Sequence, residues 1–174
     1  MTPTSEGVGG QTRSNLYEAF VGEAKAHIRL LAFAGKAEEE GYSQIAKLFR
    51  AIATAEEVHA ANHLRVLGEV IIKRTEENLA FSFDKETTVN EVTYPQFIMQ
   101  AEEEGEREAV SSFSYARDVE EGHARLYKKA MEHMLQDEVS DYYVCGVCGY
   151  TSDGVLPEEC PICGAMREKF RKIG

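Results

Sequence analysis

AEEEGYSQIAKLFRAIATAEEVH, residues 37–59, is answered by AEEEGEREAVSSFSYARDVEEGH at residues 101–123. Both stretches open on Ala-Glu-Glu-Glu-Gly and close on Glu-x-x-His. Glu56 lies fifteen residues after Gly41 and His59 eighteen; Glu120 and His123 stand at the same distances from Gly105. Residues three apart on an α-helix differ by about 60° in direction, so Glu56 faces the same way as His59, and Glu120 the same way as His123. Glu57 and Glu121 stand two residues before their histidines, roughly 160° round the helix, and are expected in solvent. An acid and an imidazole repeated in register make a metal site the leading reading.

Working outward, the chain from about 13 to 136 is rich in Ala, Glu, Leu and Lys and poor in helix breakers. Four helices are expected: Ser14 to Glu40 with Ser14 as cap, Ser43 to Leu67, Thr75 to Glu104, and Glu106 to Leu135. The one- to three-residue breaks at Gly41 and Gly105 demand antiparallel neighbours. The expected fold is therefore an all-α four-helix bundle made of two hairpins, joined by a longer connection around 68–75. Stripes of helical period run along these elements. They are Leu16, Phe20, Glu23, His27, Leu30 and Ala34 in the first helix, and Ile45, Leu48, Ile52, Glu56, His59, His63 and Val66 in the second. In the fourth they are Val110, Phe113, Arg117, Glu120, His123 and Tyr127. Each stripe is expected to face inward, yet each carries ionisable groups at its middle.

Two further inward carboxylates complete a ligand set. Glu23 lies eighteen residues before Gly41, and Glu86 nineteen before Gly105. That one-residue excess, with Pro95 in between, predicts a π-bulge or kink in the third helix. One Glu from each of two helices and Glu-x-x-His from the other two is the ligand set of a di-iron or di-manganese carboxylate bundle. A solvated acidic face is the plainer explanation for any one Glu. Four carboxylates on apolar stripes, however, would each cost several kcal/mol unless cations neutralise them. Hard oxygen donors with imidazole suit iron or manganese, and zinc fits too. His27 and His63, one turn from the proposed ligands, are expected to hydrogen-bond them or simply to pack. His133 is expected at the surface, and Tyr94 either packs or hydrogen-bonds a ligand carboxylate.

After Leu135 the texture changes, and a boundary is placed near 137–141. Residues 138–174 form a second domain, 13–137 the helical one, and 1–12 a flexible polar tail. A segment this short cannot build an adequate core alone, so a metal staple is expected. Cys145-Gly-Val-Cys148 and Cys160-Pro-Ile-Cys163 supply one, with Gly149 and Gly164 allowing turns that aim backbone N–H groups at sulfur. Such thiolates hold either a redox-active iron or a structural zinc, and their spacing separates the two weakly.

Bulk properties exclude several classes. A net charge of −11 argues against a nucleic-acid footprint. No apolar run approaches the ~20 residues of a membrane span, and the first residues lack the layout of a secretory signal. All four cysteines fall in two tight pairs, which fits metal ligation in a reducing cytoplasm better than disulfides.

From about Asn15 to Phe170 the chain resembles the rubrerythrin family. The matching stretches are Gly22-Glu23, Ala55-Glu56-Glu57-Val58-His59, Glu86-Thr87, Tyr94-Pro95, Glu120-Glu121-Gly122-His123 and the two cysteine knuckles. The resemblance implies a ferritin-like bundle followed by a rubredoxin-like domain. It implies a di-iron centre held by Glu23, Glu56, His59, Glu86, Glu120 and His123, with Glu56 and Glu120 bridging. It also implies one iron on Cys145, Cys148, Cys160 and Cys163. The implied activity is reduction of hydrogen peroxide to water, with electrons from a rubredoxin or an NAD(P)H-dependent reductase. A homodimer is implied as well, with one subunit's cysteine-bound iron beside its partner's bundle or with domains swapped. In one respect the chain departs from the family: Val89 stands where a second glutamate, exchanging with histidine as a ligand, is usual. Glu91 is the nearest acidic substitute. The rival functions are a ferroxidase or iron-handling bundle and a non-enzymatic zinc-ribbon interaction protein.

Overall fold

The structure, a computed structural model, describes residues 9–68, 71–133 and 140–174. It is mostly helical with a small C-terminal sheet, as the composition and periodicity require. The chain divides into two compact units between Lys73 and Arg74.

The first unit is a helical hairpin, α1 (Gly10–Glu39) and α2 (Ser43–Leu67). Gly41 takes φ 84° at the turn, a left-handed conformation that a residue with a side chain enters only at a cost. Helix α1 begins at Gly10 rather than Ser14, so Ser14 is not its cap. The buried positions between the helices are Ala34 and Ala37 on α1, and Ala46, Ala53, Ala60 and Leu67 on α2, all small but Leu67. The α2 positions recur every seven residues, two turns of helix, and so define one narrow stripe. The expected stripe of Ile45, Leu48, Ile52 and Val66 is not what meets α1: those side chains are exposed, and the alanines occupy the seam within this unit. On α1 the expected stripe is half-buried from Leu16 to Leu30 and ends on buried Ala34.

The second unit opens with α3 (Thr75–Thr88), continues through a π-helical segment Val89–Thr93 and then α4 (Tyr94–Glu104), and turns back along α5 (Arg107–His133). The extra residue between Glu86 and Gly105 is thus absorbed where the spacing placed it, as one wide turn before Pro95. Asn90, inside that turn, donates from Nδ2 to the Arg117 carbonyl at 2.6 Å and ties the segment to α5 one turn before Glu120. Tyr94, Phe97 and Phe113 pack as an aromatic cluster, with ring centroids 5.5–6.3 Å apart. Residues 134–139, where much of the expected domain boundary falls, lie outside the described residues.

The C-terminal module is a three-stranded antiparallel sheet in the order β2-β1-β3, from β1 (Tyr142–Cys145), β2 (Thr151–Asp153) and β3 (Phe170–Ile173). Tyr143 pairs with Ser152 on one side and Lys172 on the other. Strand β2 lies against α5, where Lys129 Nζ meets Asp153 Oδ2 at 2.6 Å.

Candidate metal centres

Helical geometry brings Glu56 and His59 together on α2, with Nδ1 3.1 Å from Glu56 Oε2. Helix α1 adds Glu23, and one donor atom from each of these three residues lies within 4.8 Å of the others. Glu23 has its carboxyl raised, first by a hydrogen bond with Glu56 and then by partial burial, while the same bond lowers Glu56. His27 donates from Nδ1 to the Ala53 carbonyl at 2.8 Å, which fastens α1 to α2 one turn before Glu56. His63 is half-buried and its charge is felt at Glu23.

The second unit repeats the arrangement with Glu86 on α3 and Glu120 and His123 on α5. His123 Nδ1 again stands 3.1 Å from a carboxylate oxygen, Glu120 Oε2. Burial first, and then the hydrogen bond and negative charge of Glu120, push Glu86 up to about 8. Burial and those same two carboxylates raise the Tyr94 phenol, which places its ring beside the triad. Glu57 and Glu121 are exposed as expected, and Glu121 pairs with Arg125 at 2.5 Å. His133 is half-buried rather than at the surface. Val89 begins the π turn, and Glu91 is exposed and belongs to neither triad.

Both triads fit a divalent cation. Bonds of about 2.0–2.2 Å to oxygen and nitrogen put neighbouring donors about 3 Å apart, which is the Nδ1–Oε2 separation in each. The four cysteines fit a tetrahedral ion in the same way. Metal–sulfur bonds of about 2.3 Å imply sulfur–sulfur edges of about 3.8 Å. Cys145 and Cys163 are 3.8 Å apart, and Cys148 and Cys160 3.5 Å. Backbone N–H groups converge on the sulfurs: Cys148 and Val147 on Cys145, Tyr150 on Cys148, and Ala165 on Cys163. Burial raises the Cys148 and Cys163 thiols, whereas at Cys145 burial is outweighed by hydrogen bonds from the Cys148 and Val147 backbone together with those of the Cys163 and Cys148 thiols, which lower it.

One contact joins the cysteine module to the second triad. His123 Nε2 lies 3.4 Å from the Gly149 carbonyl and 3.2 Å from Thr151 Oγ1. The peptide group whose carbonyl faces His123 carries, at its other end, the Tyr150 N–H that bonds Cys148 Sγ. A single amide therefore touches both a cysteine sulfur and a triad imidazole. No reading of the sequence singled out Gly149 or Thr151 for this, since they lie 26 and 28 residues from His123. A cavity of about 450 Å³ opens beside the contact, lined by Leu79, Leu126, Tyr127, Ala130 and Tyr142 together with His123 and Thr151.

Comparison with known proteins matches this architecture part by part. The sequence profile of the Rubrerythrin family covers residues 14–131, and that of the rubrerythrin rubredoxin-like domain covers 143–171. The chain belongs to the rubrerythrin family. It is 33% identical to Rubrerythrin-2 of Clostridium acetobutylicum, across 92% of this chain and 95% of that protein. To Nigerythrin of Nitratidesulfovibrio vulgaris it is 34% identical, across 98% of this chain and 90% of the other. Solved structures of nigerythrin in partially reduced and in fully reduced, all-ferrous states superpose with a TM-score of 0.55. They cover 99% of this chain and 92% of theirs. The cofactors of a rubrerythrin are accordingly those of this chain: a di-iron centre and an iron held by four cysteines. Among the described residues no helix is long and apolar enough to cross a membrane.

Proposed function

We propose that the chain reduces hydrogen peroxide to water, with electrons relayed through its four-cysteine iron. Glu23, Glu56 and His59 would hold one iron of the pair, and Glu86, Glu120 and His123 would hold the other. Glu56 and Glu120, the glutamates of the two Glu-x-x-His pairs, are the ones we assign to be shared between the metals. When bound, the pair supplies the two electrons that, with two protons, turn one peroxide into two waters. Peroxide is taken at the carboxylates, because four cysteines close their ion and leave no position for substrate. The observation that carries this reading is the amide between Gly149 and Tyr150, which reaches Cys148 Sγ at one end and His123 Nε2 at the other. A storage or ferroxidase bundle has no use for such an inward route, and a zinc ribbon cannot conduct along it. The working form is taken to be a homodimer in the cytoplasm, supplied by a rubredoxin or an NAD(P)H-dependent reductase.

Peroxide added to the anaerobically reduced, full-length protein tests the proposal. Reoxidation should consume one peroxide per two electrons. Cys148→Ala should stop turnover with a rubredoxin-type donor yet leave one turnover of chemically pre-reduced protein. Reoxidation by dioxygen but not by peroxide would establish the ferroxidase instead, and a protein that stays colourless after aerobic loading would establish zinc.

A further inference from the structure

Thr151 stands at the start of β2 with its hydroxyl between two groups. Its Oγ1 donates to the Gly149 carbonyl at 3.3 Å and lies 3.2 Å from His123 Nε2. A hydroxyl has one proton. Once that proton is committed to Gly149, the oxygen can only accept from the imidazole. Gly149 O, 3.4 Å from the same nitrogen, can only accept as well. When a cation takes the Nδ1 lone pair, Nε2 carries the ring hydrogen, and the two acceptors facing Nε2 receive it. Nδ1, 3.1 Å from Glu120 Oε2, is the nitrogen that faces the other donors of the triad.

We propose that Thr151 is a positioning residue for His123: its hydroxyl oxygen, held by Gly149, accepts the Nε2–H and so fixes the ring with Nδ1 toward the metal of the second triad. The inference rests on the reading of Glu86, Glu120 and His123 as ligands, and it adds a residue to that reading. It also makes the triads unequal, because among the described residues no group hydrogen-bonds Nε2 of His59.

Thr151→Val keeps the β-branched shape and removes only the hydroxyl's chemistry, and Thr151→Ser restores the oxygen without the methyl. Anaerobic ferrous titration of full-length protein with its four-cysteine iron in place should show one of the two carboxylate–histidine sites weakened about 10- to 100-fold in Thr151→Val. The other site should stay unchanged, and Thr151→Ser should bind as wild type. In the ferrous-loaded protein the exchangeable Nε2–H of His123, read by proton NMR, should be protected from solvent in wild type and Thr151→Ser and should exchange faster in Thr151→Val. Wild-type ferrous affinity in Thr151→Val, or a Thr151→Ser protein as weak as Thr151→Val, overturns the role of the hydroxyl. A wild-type protein that takes no ferrous iron beyond the four-cysteine site overturns both this inference and the ligand assignment beneath it.

Discussion

The two triads share one motif and one internal distance, yet they sit in different surroundings. In each, a Glu-x-x-His pair brings Nδ1 to 3.1 Å from a carboxylate oxygen, and a second glutamate arrives from another helix, α1 in the first triad and α3 in the second. His59, however, has 55% of its side chain exposed, against 27% for His123. The difference lies outside the repeated motif. Strand β2 and the knuckle before it cover α5 and occupy Nε2 of His123, whereas among the described residues of the first unit no group hydrogen-bonds Nε2 of His59. Duplication of a motif therefore copies the donors but not their environment, and it is the environment that sets a ligand's tautomer and the dielectric around it.

The largest effect that could break this comparison comes from deleting one donor at a time. Glu56→Ala and Glu120→Ala should each abolish di-iron binding while leaving the spectrum of the four-cysteine iron intact. Metal analysis with a visible spectrum reads both at once. Retention of the iron pair in either variant would remove that glutamate from the ligand set and end the equivalence of the triads.

A smaller effect sharpens the contrast through pH. Glu86 holds its proton up to about 8, so a cation entering the second triad must expel it. Ferrous affinity there should rise about tenfold per pH unit through the range below 8 and then flatten. In the protein free of di-iron the sign reverses. A carboxyl raised from 4.5 to about 8 binds more protons folded than unfolded, so stability falls as pH climbs across that interval. Glu23 is raised in the same direction by Glu56, and Glu23→Gln and Glu86→Gln should each remove their own triad's share of the dependence. Denaturant melts from pH 5 to 8 would show it, and a flat profile in wild type would contradict the raised carboxyls of Glu23 and Glu86.

The smallest effect concerns the docking of the module. Asp153 is lowered by hydrogen bonds from Lys129 and then Ser140, so its stabilising share is present at neutral pH and fades as pH drops through the carboxylate range. Asp153→Asn should cost about 0.5–1 kcal/mol in a denaturant melt, the usual size for a partly exposed pair. It should also slow electron transfer out of the four-cysteine iron slightly, without altering the first triad. No change in either measurement would show that the ion pair does not seat β2 on α5.

How much could be read without coordinates depended on how local each feature was. The π turn at Val89–Thr93 was legible because inserting one residue into a repeat has few structural outlets, and Pro95 marked the place. The N–H donors at Cys148 and Cys163 were legible from Gly149 and Gly164. The seam of α2 against α1 was not legible: Ile45, Leu48 and Ile52 make the more convincing stripe, yet within the unit Ala46, Ala53 and Ala60 are the buried positions. The start of α1 at Gly10 was also missed, since neither Gly9 nor Gly10 carries a capping signal.

The sequence by itself determined the donors and their pairing within each helix, because 3.6 residues per turn aligns positions three apart whatever surrounds them. It likewise determined the cysteine knuckles, whose geometry closes within four residues. Only the tertiary structure decided which imidazole is held at its far nitrogen, and by what. That choice depends on a strand folding back on α5 from nearly thirty residues away, and no local periodicity encodes such an approach.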